Sequence, residues 1–313
     1  MSFDFPAPAP AILMLHVHPS IESRMHSQEL ICVEPSLPIH DFTDQFGNRA
    51  SRVTVPAGVL RIASDTLVSD SGNEDSVEWQ ATQHPIETLP DEVLPFLISS
   101  RYCEVDLLSD IAWNLFGSSP LGWARVQSIC DWVHSRMTFS YPCARSTRTA
   151  FEAYNEGIGV CRDYQHLAIA FCRAMHIPAR YATGYLGDIG VPYSPDPMDF
   201  SAWFEVYLQG AWHTFDARNN RPRIGRILMA VGRDAADVAL MTSFGPAKLL
   251  SFKVWTDQVP EPWQPRQEAQ APPAPREKEA RLAADYAAGR KDSSRLLSDL
   301  ENAQLDLLSD EKE

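Results

Sequence analysis

Apolar and polar residues alternate between about residue 10 and residue 90, with Pro and Gly separating the alternating runs. The alternation predicts a strand in which Ile12, Met14, His16 and His18 share one face, and two shorter strands at residues 52–55 and 59–63. Several short strands separated by Pro and Gly are typical of a β-sandwich. We therefore predict that residues 1–92 form a small β-sandwich.

Beyond residue 92 the apolar residues recur at helical spacing. One helix is predicted at residues 104–116 and ends before Gly117, and a second is predicted at residues 123–137. A third helix is predicted to begin at Cys161, and strands to follow at residues 179–186, 201–208 and 211–217, the last two as a hairpin turning at Gln209-Gly210. Residues 224–231 and 249–255 are predicted as further strands that close this sheet. Residues 93–258 therefore form an α+β domain in this prediction.

The last part of the chain has a different composition. Prolines are frequent from residue 259 on, and residues 277–313 mix both charge signs with Ala and Leu. Residues 259–313 are therefore predicted to be a linker followed by a disordered or partly helical tail.

Charge and cysteine content narrow the class of protein. The net charge of −14 and the isoelectric point near 5.1 disfavour nucleic acids and anionic membranes as partners. We expect no signal peptide, no transmembrane helix and a cytoplasmic location. The six cysteines have no regular spacing, which favours reduced thiols over disulfides or zinc. His16 and His18 could face the same way, but no third metal ligand is apparent, so we predict neither a metal nor a cofactor.

One cysteine stands out by its local context. Gly157 and Gly159 precede Cys161, and an apolar stripe follows it at helical spacing. A thiol in the first turn of a helix meets unpaired N–H groups and the positive end of the helix dipole, which favour the thiolate; the same N–H groups could bind an oxyanion. The alternative is that Cys161 is a small buried apolar residue.

These motifs resemble the bacterial transglutaminase-like, papain-related cysteine enzymes. The matching stretches are Gly159-Val-Cys-Arg-Asp163, Ile177-Pro-Ala-Arg-Tyr181, Gly184-Tyr185, Ala202-Trp203, Glu205-Val206, Trp212 and Phe215-Asp216. The resemblance implies a papain-like core and a Cys, His, Asp triad that forms an acyl-enzyme and passes the acyl group to an amine or to water. By position, Cys161 is the nucleophile and Asp216 the residue that orients the base. It implies a peptide or protein amide as substrate, with Tyr185, Trp203 and Arg218 as substrate-binding residues.

The position of the triad histidine holds Ser201 instead. A hydroxyl cannot accept a proton near neutral pH as an imidazole does. Strand alternation puts His213 on the opposite face from Asp216, and helical periodicity turns His166 about 140° away from Cys161. Two readings follow: a thiol enzyme with Ser201 in the base position, or a catalytically silent protein that binds a peptide or protein in the same cleft.

Two neighbouring segments are expected to shape substrate choice. The Pro- and Gly-rich stretch between Leu186 and Ser201 is predicted to be a substrate-selecting loop. The four arginines between Ala217 and Ile227 are predicted to be a solvated surface, with recognition of a substrate carboxylate as the alternative.

Overall fold

The computed structural model describes residues 1–26, 29, 31–192 and 199–259. The strands are β1 (Ser2–Phe5), β2 (Ala9–Leu13), β3 (Ile31–Glu34), β4 (Ile39–Thr43), β5 (Arg49–Val55), β6 (Gly58–Ser64), β7 (Thr138–Phe139), β8 (Ile158–Gly159), β9 (Ala179–Tyr185), β10 (Phe200–Leu208), β11 (Ala211–Phe215), β12 (Ile227–Gly232), β13 (Met241–Ser243) and β14 (Lys248–Ser251). The α-helices are α1 (Val105–Phe116), α2 (Trp123–Arg136), α3 (Ala150–Glu156) and α4 (Cys161–Ala174). Short 3₁₀ helices lie at Pro19–Arg24, Ile86–Thr88, Asp91–Phe96, Tyr141–Cys143 and Ala235–Val238.

Two four-stranded antiparallel sheets form the predicted sandwich. Their strand orders are β14-β1-β6-β3 and β13-β2-β5-β4. Alternate side chains of both sheets meet in one apolar core, in which Phe3 and Leu60 come from one sheet and Leu13 and Val53 from the other. The strand that begins at Ala9 ends at Leu13, so the predicted strand through residue 18 is wrong beyond that point.

The sandwich is not continuous in sequence. The strand β13 pairs with β2, and β14 pairs with β1, so the chain returns to the sandwich after the second domain. Our prediction that residues 249–255 close the second sheet is therefore wrong, because Leu249 lies opposite Phe3. The boundaries at residues 92 and 258 stay predictions.

The second domain packs helices on an antiparallel sheet in the order β11-β10-β9-β12. The helix α4 lies between this sheet and the helices α1, α2 and α3. Leu167, Phe171, Phe204 and Val206 belong to one core cluster, which explains why nearly every residue of α4 is buried. The predicted α+β architecture with a β-sandwich in front is confirmed. None of the helices in the described ranges is long and apolar enough to span a bilayer.

The two histidines considered as metal ligands have protein partners. In the sandwich, His16 Nδ1 lies 3.1 Å from Glu29 Oε2, and His16 Nε2 lies 3.0 Å from the hydroxyl of Ser51. This connectivity is that of a hydrolase triad, but Ser51 is fully buried and donates its hydroxyl hydrogen to Asp41. The cluster therefore links strands of the sandwich instead of presenting a nucleophile. His18 Nδ1 accepts a hydrogen bond from a backbone N–H at the start of the first 3₁₀ helix.

Glu29 is the buried anion of this cluster. Burial alone would raise its pKa, but the hydrogen bonds from His16 and from the Val17 N–H outweigh burial and hold the pKa below its ordinary value. Among the described residues, no group of His, Cys, Asp and Glu side chains is arranged to hold a metal ion.

Candidate active site

A tight connection delivers Cys161 to the start of α4. Gly157 ends α3 in the left-handed conformation, with φ of 66°, which glycine adopts readily at the end of a helix. The next two residues form β8, which pairs in parallel with β7. At Gly159 a Cβ atom would lie 2.7 Å from the Cβ of Asp163, so the backbone passes too close to the helix for any side chain there.

Asp163 fixes the first turn of α4. Its carboxylate accepts a hydrogen bond from the N–H of Val160 at 2.9 Å and pairs with Arg148 at 3.1 Å and with Arg162 at 3.3 Å. The side chain of Asp163 is fully buried, so these charged donors compensate the loss of its hydration. The Arg-Asp pair of the Cys161 motif thus holds the thiol-bearing turn in place.

The surroundings of Cys161 act on its thiol in opposite directions. Burial raises the pKa of the thiol above its ordinary value, whereas the guanidinium of Arg218 and the backbone N–H groups of Ala202 and Arg162 lower it. The net shift is upward, although the sequence led us to expect a favoured thiolate. The reason is that the free energy of hydration that a thiolate loses in this partly closed position is larger than the stabilisation it receives from the helix end and from one guanidinium.

Asp216 follows the second strand of the predicted hairpin and is surrounded by donors. Its two oxygens accept from the N–H of Arg218 at 3.0 Å, the N–H and side-chain amide of Asn219 at 3.0 and 2.7 Å, and the guanidinium of Arg226 at 3.1 Å. Burial would raise the pKa of Asp216, but Arg226 and Asn219 outweigh it and keep the pKa low. Asp216 is therefore a carboxylate that organises the loop after β11.

Gln165 joins this carboxylate to the strand beside the thiol. Its side-chain amide donates to Asp216 Oδ1 at 3.0 Å and to the carbonyl of Ala202 at 3.2 Å, and its oxygen accepts from the N–H of Ala217 at 3.1 Å. The residue is fully buried and lies one helical turn after Cys161. Sequence reasoning missed Gln165; its spacing of four residues from the cysteine was the only local signal.

Ser201 lies on β10 directly before Ala202. It is only 2% exposed, and its hydroxyl has one long contact, 3.5 Å from the carbonyl of Ala202. Strand alternation puts it on the face of Trp203, whereas Ala202 and Phe204 pack toward α4. The groups that donate to Asp216 are those of Arg218, Asn219 and Arg226 named above and the side-chain amide of Gln165, and the recorded contact of the Ser201 hydroxyl is with Ala202.

Comparison with known proteins identifies the family of this site. Residues 114–217, which include Cys161, Ser201 and Asp216, match the family model of the transglutaminase-like superfamily. Over 215 residues the chain is 30% identical to the uncharacterized protein ML0607 of Mycobacterium leprae (strain TN), and the match covers 66% of this chain and 75% of that protein. The chain belongs to the transglutaminase-like superfamily.

A solved structure agrees with this assignment. The crystal structure of a protein from Cytophaga hutchinsonii, described as a candidate cysteine protease, is 30% identical and superposes with a TM-score of 0.68. The superposition covers 82% of this chain and 91% of the other, so it includes the sandwich as well as the transglutaminase-like core.

All nine histidines of this transglutaminase-like protein lie among the described residues, and none is among the groups with the largest effects on the pKa of Cys161 or Asp216. His166 is fully buried, stacks on Tyr102 at 5.0 Å and accepts from the N–H of Ala235, and burial holds its pKa well below the ordinary value. His213 lies against Trp123, 5.6 Å between ring centres, on the face predicted from strand alternation. His166 and His213 are therefore engaged away from the thiol, and a third imidazole, that of His134, lies 2.8 Å from the carbonyl oxygen of Arg218.

The three predicted substrate-binding residues have different surroundings. Trp203 is 1% exposed and packs inside the protein, and its role as a substrate-binding residue stays a prediction. Tyr185 is partly exposed at the end of β9, 5.9 Å from the ring of Phe200, and stays a predicted substrate contact. Arg218 lies over the ring of Phe139 at 3.8 Å and exerts the largest pKa-lowering effect on the thiol.

Part of the predicted substrate-selecting loop and nearly all of the predicted linker and tail lie outside the described residues. Residues 193–198 of the proposed substrate-selecting loop and the tail from residue 260 are not described.

The arginines after Asp216 are not a simple solvated surface, because Arg226 bridges Asp75 and Asp216 and Arg223 is buried against the carbonyl of Gly187.

Proposed function

We propose that this protein is a thiol enzyme that transfers or hydrolyses an acyl group through an acyl-Cys161 intermediate. The observation that carries the proposal is the environment of the Cys161 sulfur. The residue lies at the start of α4, the backbone N–H groups of Ala202 and Arg162 hydrogen-bond to the sulfur, and the positive charge of Arg218 stabilises its thiolate form. A structural core thiol needs none of these groups. The superfamily assignment supports the same reading.

In this proposal Arg218 takes over part of the task that an imidazolium has in the triad implied by the resemblance. Its guanidinium stabilises the thiolate by its charge, since a guanidinium is a hydrogen-bond donor and not a proton-transfer group. Asp216 then acts as a positioning residue, because it accepts the N–H of Arg218 and shapes the turn that carries the guanidinium. Ser201 occupies the position of the family histidine and transfers no proton.

The proposed reaction begins with attack of the Cys161 thiolate on the carbonyl carbon of the acyl donor. The negative charge moves to the carbonyl oxygen, where the backbone N–H of Cys161 at the helix start is the proposed donor. Collapse of this adduct forms a thioester on Cys161 and releases the leaving group. An amine or water then takes the acyl group and the thiolate returns.

The first test is the pH dependence of Cys161 alkylation by iodoacetamide, with the peptides of all six cysteines followed by mass spectrometry. Arg218→Met should lower the alkylation rate of Cys161 at a given pH, because the positive charge is lost, and should leave the rate of exposed Cys32 unchanged. An unchanged rate at Cys161 contradicts the role of Arg218. Cys161→Ala should remove acyl-transfer activity without affecting folding.

The second candidate is a catalytically silent protein that binds a peptide or protein in the same cleft. The upward net pKa shift of Cys161 favours it, as does the fact that no imidazole is among the groups with the largest effects on this thiol. The two candidates differ in one observable: an enzyme forms an acylated Cys161 on exposure to an acyl donor, and a silent binder does not.

A further inference from the structure

The proposed thiol chemistry needs a leaving group, and the groups around Cys161 determine which kind can leave. When an amide is cleaved, the nitrogen departs as an amine and must receive a proton as the C–N bond breaks. In cysteine enzymes of the triad type the imidazolium supplies that proton. The identity of the proton donor near the sulfur therefore limits the substrate class.

Among the described residues, none of the ionisable groups with the largest effects on the Cys161 thiol gives up a proton at neutral pH. Arg218 keeps its proton under all such conditions. Asp163 is a carboxylate paired with Arg148 and Arg162. Asp216 has a lowered pKa and is saturated with donors, so it holds no proton to donate.

The two nearby tyrosines do not fill this gap. Tyr181 is fully buried, and burial raises its pKa well above the ordinary value. The hydroxyl of Tyr164 donates to the carbonyl of Met137 at 2.9 Å, and burial raises its pKa to about 12. Both phenols therefore hold their protons more tightly than a free phenol does.

From this arrangement we infer that the acyl donor of Cys161 is a thioester, whose leaving group departs as a stable anion, and that the site does not cleave amides at a useful rate. This inference rests on the proposed function, since it takes Cys161 as the nucleophile. The Cys161 thiolate attacks the thioester carbonyl, the new C–S bond forms, the old C–S bond breaks, and the departing thiolate takes its proton from water. No protein group has to donate a proton in this exchange.

The ordering of thiol basicities favours the same direction. A leaving thiol of lower pKa departs faster, so the acyl group passes to Cys161 from a donor whose thiol is the more acidic of the two. An uncharged amine can then attack the acyl-Cys161 thioester, form the C–N bond and lose its extra proton to water, while the Cys161 thiolate departs beside Arg218. The product is an amide, so the reaction runs toward amide formation.

The test compares two donors that carry the same acyl group, the S-benzyl thioester and the 4-nitroanilide of N-benzoylglycine. Each is mixed with the full chain, and acylation of the Cys161 and Cys32 peptides is timed by mass spectrometry. Cys32 is exposed and serves as the internal control for uncatalysed exchange, and Cys161→Ala identifies the acylated peptide. We expect the thioester to acylate Cys161 faster than Cys32, and faster than the anilide by more than about 10²-fold, the lower end of what a general acid contributes.

The possible outcomes distinguish the thioester inference from the proposal that Cys161 is the nucleophile of a thiol enzyme. If both donors acylate Cys161 at rates within about tenfold of each other, amides are competent donors and the inference is overturned while the thiol enzyme stands. If neither donor acylates Cys161 faster than Cys32, the thiol-enzyme proposal fails and the inference fails with it. Selective acylation by the thioester supports both.

Discussion

Replacing Gln165 by leucine should uncouple Asp216 from the strand beside the thiol. The side chain is fully buried and makes three hydrogen bonds, to the carbonyl of Ala202, to Asp216 and to the N–H of Ala217. Leucine has a similar volume but no polar atoms, so the change removes these bonds with little change in packing. The two backbone groups then lack their Gln165 partner inside the protein.

The size of the effect follows from the groups that lose a partner. Each buried backbone group without its hydrogen bond costs about 1–3 kcal/mol. Asp216 keeps its bonds from Arg218, Asn219 and Arg226, so its own loss is at the lower end of that range. We therefore expect Gln165→Leu to lower the free energy of unfolding by about 3–7 kcal/mol.

Urea unfolding followed by tryptophan fluorescence measures this loss. Gln127→Leu is the matched control, since Gln127 is only half buried on α2 and bonds to side chains alone; it should cost less than about 1 kcal/mol. A Gln165→Leu protein within about 1 kcal/mol of the wild type would refute the reasoning.

A second substitution at the same position tests the charge of Asp216. Gln165→Glu keeps the oxygen that accepts from Ala217 but replaces the donor by a carboxylate facing Asp216. Like charges raise the pKa of such a pair above its unfolded value, so the variant is destabilised at neutral pH and recovers as the pH falls and one carboxylate is protonated. A deficit that is the same at pH 7 and at pH 5 contradicts this electrostatic account.

Three further predictions concern other parts of the molecule. Gly184→Ala should prevent stable folding or cost several kcal/mol, because its Cβ would overlap the carbonyl oxygen of Ile227 where β12 bulges against β9; a thermal midpoint equal to that of the wild type contradicts the close approach. Glu29→Gln should be less stable than the wild type at neutral pH, and this difference in stability should shrink as the pH falls below about 4.3. The reason is that a carboxyl group with a lowered pKa stabilises the fold while it is ionised and loses this contribution as it is protonated. Urea unfolding across this pH range measures the difference, and a difference independent of pH contradicts the prediction. Alkylation of Cys161 should continue to rise at pH values where an ordinary thiol has levelled off, because its pKa is raised; a plateau below pH 8 shows instead that the thiolate is favoured.

Local patterns in the sequence were enough to predict the main elements of the fold. Alternation gave parts of β2, β5 and β6, helical spacing gave α1, α2 and α4, and the Gln209-Gly210 turn gave the hairpin. The position of Cys161 at a helix start followed from the glycines before it and the apolar stripe after it. These signals are reliable because strand pleating, helical periodicity and glycine conformation act over a few residues.

Three features were decided only by the tertiary structure. The strand β14 joins β1 from nearly 250 positions away, a pairing that depends on which sheet edge the chain can reach. The donors of Asp216 come from Gln165 on a different element and from Arg226 beyond the hairpin, so the sequence could not show that this carboxylate was already saturated. The pKa of Cys161 follows the same logic: the sequence determined its helix-terminal position, but the packing around the thiol determined how much water it lost, and desolvation outweighs the helix end.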